Sequence, residues 1–149
     1  MGNIRPAEER DLSRIAEIFV FNYRINFYPF FKNDPFYFGE LNVLDTVREF
    51  AADLGCFHVY DDGVVKGFIS VIGDELNKLH IDPQFQSMGV GAELLEYATD
   101  ELGARWLWVL EYNTRGQAFY KRHGFEFTGE KMIEDEWVPL LKMALEKER

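Results

Sequence analysis

At 149 residues, 47% hydrophobic and 16% aromatic, the chain carries enough apolar mass for one packed core and is short for two domains, so a single domain over 1–149 is expected. Its net charge of −10, from 26 acidic and 16 basic side chains, has the wrong sign for a phosphate backbone and makes nucleic acid a poor partner. Cys56 is the only cysteine, which excludes an intrachain disulfide and argues against a cysteine-held metal cluster, and no apolar run reaches the length of a membrane span. The surplus of acid instead favours a cationic acceptor such as an amine.

The start, MGNIRPAEERDLSR, is charged and lacks a leader's apolar core, and Pro6 stands where the myristoylation pattern wants Ser or Thr, so a cytoplasmic protein is expected. In DLSRIAEIFVFNY, the residues Leu12, Ile15, Ala16 and Phe19 recur at helical spacing with Asp11 placed to cap. A second helix is predicted over ELNVLDTVREFAADLG, through Val43, Val47, Phe50 and Leu54, with Gly55 as its stop. Between them NFYPFFKNDPFYFGE holds seven aromatics in fifteen residues, with two prolines and a glycine that disfavour a regular helix. Two readings stand for this segment: a loop pinned to the core by its rings, or one wall of a ligand pocket, particularly over residues 27–38.

CFHVY, an Asp-Asp-Gly turn and VVKGFISVI read as a hairpin, with Cys56 as a buried packing residue. Gly73-Asp74 turns the chain into a third strand, ELNKLHI. After Pro83 and two glycines, a helix follows with Gly91, Leu94, Leu95, Ala98 and Leu102 on one face, ended by Gly103. RWLWVL is a short buried strand, NTRGQAFYKRH a short helix closed by Gly124, and FEFTGEK and VPLLKMALE are two last strands. The class is α/β, with antiparallel hairpins and one strand–helix–strand unit at the centre.

Chemistry concentrates where that unit turns. Glycine is costly at the mouth of a helix unless something must approach the main chain, and the unpaired N–H groups of a first helical turn suit an anion. The turn reads Gln86-Ser87-Met88-Gly89-Val90-Gly91. It has no Gly-Lys-Ser/Thr of a P-loop and no three-glycine dinucleotide spacing. Its Q-x-x-G-x-G resembles the acyl-CoA loop of the GNAT superfamily of N-acetyltransferases. A second signature of that family lies downstream in LWVLEYNTRGQAFYKRHGFEF: Asn113, Gly116, Phe119-Tyr120 and Gly124-Phe125. The likeness is close over residues 56 to 130.

This resemblance implies a GNAT fold: a mixed, mostly antiparallel sheet of six or seven strands with a splayed central parallel pair, flanked by about four helices. It implies acetyl-CoA as co-substrate and direct transfer to an amine in a ternary complex, without a metal; the three histidines show no ligand spacing. Main-chain N–H groups of Ser87, Met88, Gly89, Val90, Gly91 and Ala92, opened by Gln86, would hold the pyrophosphate. Met88 departs from the basic residue common there and removes a cation near the phosphates. An N–H within Leu79, His80 and Ile81 would polarise the thioester carbonyl. Asn113 would begin its helix and bond pantetheine, with Phe119 beside the cofactor.

Tyr120 matches the family's general acid. A phenol near pKa 10 does not transfer downhill to a thiolate near 8.5, so the role is a hydrogen bond held while charge develops on sulfur. The general base stays open between Glu75, which also reads as a solvated turn residue, and His80, Glu111 or an ordered water; with alternation along the strand, Glu75 shares a face with Asn77 and Leu79, opposite His80. His58 and His123 read as surface groups. For the acceptor, Arg24 and Lys32 would suit a carboxylate, and Asp34, Glu40 and Glu134 a polyamine. A non-catalytic CoA-binding module, another acyl-CoA, a hydroxyl acceptor and a homodimer all remain open at this level.

Overall fold

Runs of β-branched and aromatic residues separated by turns build one seven-stranded sheet. In the computed structural model, which describes residues 2–145, the strands are β1 (Ile4–Pro6), β2 (Phe57–Asp61), β3 (Val65–Ile72), β4 (Glu75–Ile81), β5 (Trp106–Leu110), β6 (Phe125–Glu134) and β7 (Val138–Leu145). Their order is β1-β2-β3-β4-β5-β7-β6. Every neighbouring pair is antiparallel except β4 and β5. The predicted hairpin, third strand, central unit and two last strands are all present. β1, three residues against Tyr60, Val59 and His58, is too short for its periodicity to be legible.

Helices cover both faces. On one lie α1 (Leu12–Asn26) and α3 (Val43–Ala51), burying Ile15, Phe19 and Phe50 against Phe57 and Phe68. On the other lies α4 (Val90–Asp100), whose Leu94, Leu95 and Ala98 meet Ile69, Leu107 and Phe125, with Phe119 and Tyr120 of α5 (Thr114–Arg122) packed at the edge. Gly103 at φ +75° and Gly124 at φ +95° end α4 and α5 as predicted, since only glycine enters that region freely. No helix among the described residues is long and apolar enough to cross a membrane.

Three local expectations are corrected. Asp11 itself takes helical angles at the end of a 3₁₀ turn, so its carboxylate reaches back instead of capping α1. It accepts from the Glu8 N–H at 2.8 Å and from both terminal nitrogens of Arg5 at 2.8 and 3.0 Å. Helix α3 ends at Ala51, before Gly55, which lies inside a further 3₁₀ turn over Leu54–Cys56. Cys56 is only half-buried, packed beside the α1–α3 cluster.

The aromatic segment meets the first of its readings, a stretch pinned to the core by its rings. It folds into α2 (Tyr28–Phe31), one turn stopped where Lys32 adopts a left-handed φ of +49°, and a π turn over Phe36–Glu40. Tyr37 is fully buried between Phe36, Tyr28 and Trp137, which pins the segment.

Candidate active site

Strands β4 and β5 pair only at Glu75 opposite Trp106 and then part. Asp74 fastens this closed end: its carbonyl accepts from the Arg105 N–H at 2.7 Å and its carboxylate from the Trp106 indole at 2.9 Å. Further along, β3 and β7 hold the outer edges of the two strands, and a cavity of about 390 Å³ opens between them. Leu79 and Asn77 line it from β4, Val109 from β5, and Asn113 and Tyr120 from α5.

A bulge decides which side chains share a face. Ser70 stands opposite Lys78 but Val71 opposite Leu76, so Asn77 is the extra residue of β4. The alternation is reset there. Leu76, Leu79 and Ile81 fall on the α4 side, packed into that core, whereas Glu75, Lys78 and His80 fall together on the α1–α3 side. This corrects the expectation that Glu75 shares its face with Leu79 and opposes His80.

The Asp82 N–H donates to the Lys66 carbonyl at 2.9 Å, and this sets the phase of the β3/β4 ladder. His80, two residues away and opposite Phe68, spends its peptide groups on β3, whereas Leu79 and Ile81 turn theirs toward the gap. Of the three predicted main-chain positions, Leu79 and Ile81 therefore turn their peptide groups away from β3, and of these two Leu79 lines the cavity. The Ile81 carbonyl accepts from the Asn22 amide at 2.9 Å and from Gln86 at 3.5 Å. Arg14 pairs with Asp82 at 2.8 Å, so α1 grips the end of β4 at two points.

From there the chain makes the predicted loop. Asp82 caps a 3₁₀ turn over Pro83–Phe85 through the Gln84 N–H, Ser87 and Gly89 take φ of +65° and +85°, and α4 starts at Val90. A Cβ on Gly89 would meet no heavy atom within 4 Å, so its backbone angle alone demands glycine. The first N–H groups of α4 have no partner within the helix. Val90 turns its side chain into the core and offers the loop only its backbone; Met88 is 65% exposed.

Helix α5 brings the second motif. Asn113 caps it as predicted, accepting from the Gly116 N–H at 2.9 Å. Its amide folds so closely over Gly116 that a Cβ there would lie 2.8 Å from the Asn113 Cγ. Two turns on, Tyr120 reaches the cavity, its ring edge-to-face with Phe119 at 5.3 Å. Burial pushes the Tyr120 phenol above its ordinary pKa, so it stays protonated and available to donate.

The candidate bases separate. His80 sits among the rings of Phe19, Tyr23 and Phe68, and burial, helped by the charge of Lys78, pushes it down to about 3. Such a ring is a weak proton acceptor. Glu111 is paired with Lys131 at 2.6 Å and does not line the cavity. Glu75 lines it at the closed end. His58 and His123 are half-buried, not surface groups: His58 lies against Tyr97 with its pKa lowered by burial, and His123 against Phe119.

Sequence reasoning missed Tyr23, Lys78 and Asn22. Lys78 lines the cavity with its ammonium over the Phe50 ring at 5.1 Å, and burial lowers its pKa. Neither it nor Tyr23 sits in a motif, and the fold alone brings them in. Arg24 is committed to the Tyr37 and Leu41 carbonyls and the Phe38 ring, and Asp34 to the Tyr28 hydroxyl. A second cavity of about 290 Å³ shares Tyr23, Phe27 and Glu134 with the first. Aromatic rings including Phe36, Tyr37 and Trp137 wall it, and Glu40, Asp45, Glu49 and Asp135 add carboxylates. Partial burial and Asp135 raise the Glu134 carboxyl above its usual range, against the pull of Lys78.

Seven strands in this order, parted between a single parallel pair above a glycine-turned helix, define the acyl-CoA N-acyltransferase fold. The profile of the acetyltransferase (GNAT) family matches residues 12–125, and the chain belongs to that family. It is 34% identical over 77 residues to the peptidyl-lysine N-acetyltransferase YjaB of Salmonella typhimurium, covering 52% of this chain and 53% of that protein. To YjaB of Escherichia coli K12 it is 35% identical over 80 residues, 52% and 54% of the two chains. The chain thus spans about half the length of the curated relatives it matches. The solution structure of apo YjaB from Escherichia coli superposes with a TM-score of 0.78 at 27% identity over 97% of both chains. The structure of yncA from Salmonella typhimurium with its cofactor acetyl-CoA shares the fold, with a TM-score of 0.71 at 19% identity over 100% of this chain and 96% of that one.

Proposed function

We propose that the chain transfers an acetyl group from acetyl-CoA to a lysine-type amine within a ternary complex. The observation that carries this reading is the parted β4/β5 pair, with the Gln86–Ala92 loop at its open end and Tyr120 inside. N–H groups of Ser87 to Ala92 would receive the pyrophosphate, aided by the α4 dipole. On Gly91 a Cβ would make only ordinary contact with Phe119 at 3.5 Å, so the fold tolerates more bulk there than a closely held phosphate would. The open N–H groups of Leu79 and Ile81 would polarise the thioester carbonyl as its oxygen gains charge. The neutral Tyr120 phenol would hydrogen-bond the departing sulfur. Glu75, or a water it orders, would take the amine's proton.

The second cavity supports an amine acceptor of cationic character, since its carboxylates and ring faces both favour an ammonium-bearing chain. This agrees with the peptidyl-lysine acceptors named for the YjaB relatives. Free-thiol release from acetyl-CoA is the test, run over lysine peptides, polyamines, amino acids and aminoglycosides, with Tyr120→Phe and Glu75→Gln alongside. The expected outcome is turnover with lysine peptides and a kcat roughly 10²-fold lower in Tyr120→Phe. Acetyl-CoA binding without turnover on any acceptor would refute it in favour of a non-catalytic CoA module.

A further inference from the structure

Arg115 is the second residue of α5, two residues past the Asn113 cap and inside the first turn, and a cation there opposes the positive end of the helix dipole. Its guanidinium does not turn to an acid. It crosses to the glycine loop, donating to the Ser87 hydroxyl at 3.0 Å and to the Gln86 side-chain oxygen at 3.4 Å. Both partners are neutral, and among the described residues no carboxylate ion-pairs with it. The start of α4 opens three residues beyond Ser87. The N-terminus of α4 and one guanidinium thus meet on a single loop of a chain whose net charge is −10. Local positive charge gathered in this way lacks a counter-ion and is of the kind that a bound anion completes. Meanwhile position 88, within the same loop, is an exposed methionine with no charge to offer.

We propose that Arg115 is the cation of the pyrophosphate site, reaching from α5 to contact the diphosphate of CoA directly and standing in for the charge absent at Met88. This rests on the acetyl-CoA reading above. It also couples the two motifs: the helix that carries Tyr120 and the loop that holds the phosphates close on the same ligand through the Arg115 side chain.

Calorimetric titration tests it, with acetyl-CoA, 3′-dephospho-CoA and S-acetylpantetheine as probes and Arg115→Gln, Arg115→Lys and the double variant Arg115→Gln/Met88→Arg as proteins. Losing a charge-assisted hydrogen bond predicts affinity for acetyl-CoA lower by roughly tenfold in Arg115→Gln. The loss is expected to be equal for 3′-dephospho-CoA, absent for S-acetylpantetheine, smaller in Arg115→Lys and partly restored by Met88→Arg. The melting temperature of Arg115→Gln is expected to match or exceed the parent's, because an unfavourable dipole contact is removed. Unchanged affinity for acetyl-CoA overturns the proposal. So does a loss that disappears with 3′-dephospho-CoA, which would assign the contact to the other phosphate, or a loss shared by S-acetylpantetheine with a lowered melting temperature, which would make Arg115 structural. A parent protein that binds no CoA at all overturns the acetyl-CoA reading itself, a distinct result from a failing variant.

Discussion

Gly67 stands on β3 directly opposite Ile81, the last residue of the strand whose peptide groups face the gap. A Cβ built on Gly67 would lie 2.7 Å from the Ile81 Cδ1, 2.9 Å from the His80 carbonyl oxygen and 3.1 Å from the Leu94 Cδ1. The two methyls end flexible side chains and can swing away. The carbonyl oxygen is backbone, and a relaxed carbon–oxygen contact needs about 3.3 Å, so β3 and β4 must part by about 0.4 Å. Overpacking of this kind costs about 2–3 kcal/mol, and replacing glycine by alanine in a strand returns about 0.5–1 kcal/mol of backbone entropy. Gly67→Ala is therefore expected to lose about 1–2.5 kcal/mol. For a chain of this size that is a melting temperature lower by about 3–8 °C. Because the displaced segment is the end of β4, the KM for acetyl-CoA should rise with it. Urea and thermal unfolding, with the KM measured on the same preparations, check both parts. A Gly67→Ala protein as stable as the parent would refute the steric reasoning, since the glycine has no positive φ to explain it otherwise.

Asn22→Ala removes the amide that holds the Ile81 carbonyl, and is expected to cost about 1–2 kcal/mol and raise the KM for acetyl-CoA several-fold, with kcat at saturation little changed; steady-state kinetics with both substrates varied separates the two. Asn22→Asp should be worse, because a carboxylate oxygen would then face that carbonyl. Arg5 holds Asp11 below its usual pKa chiefly by hydrogen bonding, and a carboxyl depressed in the folded state stabilises above its unfolded value of about 4 and loses that stabilisation as pH falls through the folded value. Arg5→Ala should lose about 2 kcal/mol at neutral pH and unfold at a higher pH during acid titration, as followed by circular dichroism. With His80 titrating near 3, the pH–rate profile of His80→Gln should keep the parent's acidic limb between pH 5 and 8; a limb that moves would restore His80 as a base.

What could be read in advance was whatever local chemistry writes into a short window. The Gln86–Gly91 turn, the Asn113 cap and the seven-residue spacing to Tyr120 depend on neighbours a few positions away, and each is found where the residues imply it. Gly103 and Gly124 end their helices for the same reason. Asp11 misled because its choice between capping forward and reaching back depended on Arg5, which β1 brings alongside. Asn22 carried no motif at all; only the packing of α1 across the end of β4 makes its amide matter.

The face on which the candidate base stands belongs to the tertiary structure alone. Alternation along ELNKLHI is a rule for an unbroken strand. Whether Asn77 is squeezed out as a bulge is settled by how β4 must register against β3 while bending away from β5. That one extra residue puts Glu75, Lys78 and His80 on the same side, where burial among the rings of Phe19, Tyr23 and Phe50 lowers the pKa of Lys78 and of His80. A sequence names its motifs through bonded neighbours, but the dielectric around a side chain is made by residues distant in the chain, and so only the folded sheet could decide it.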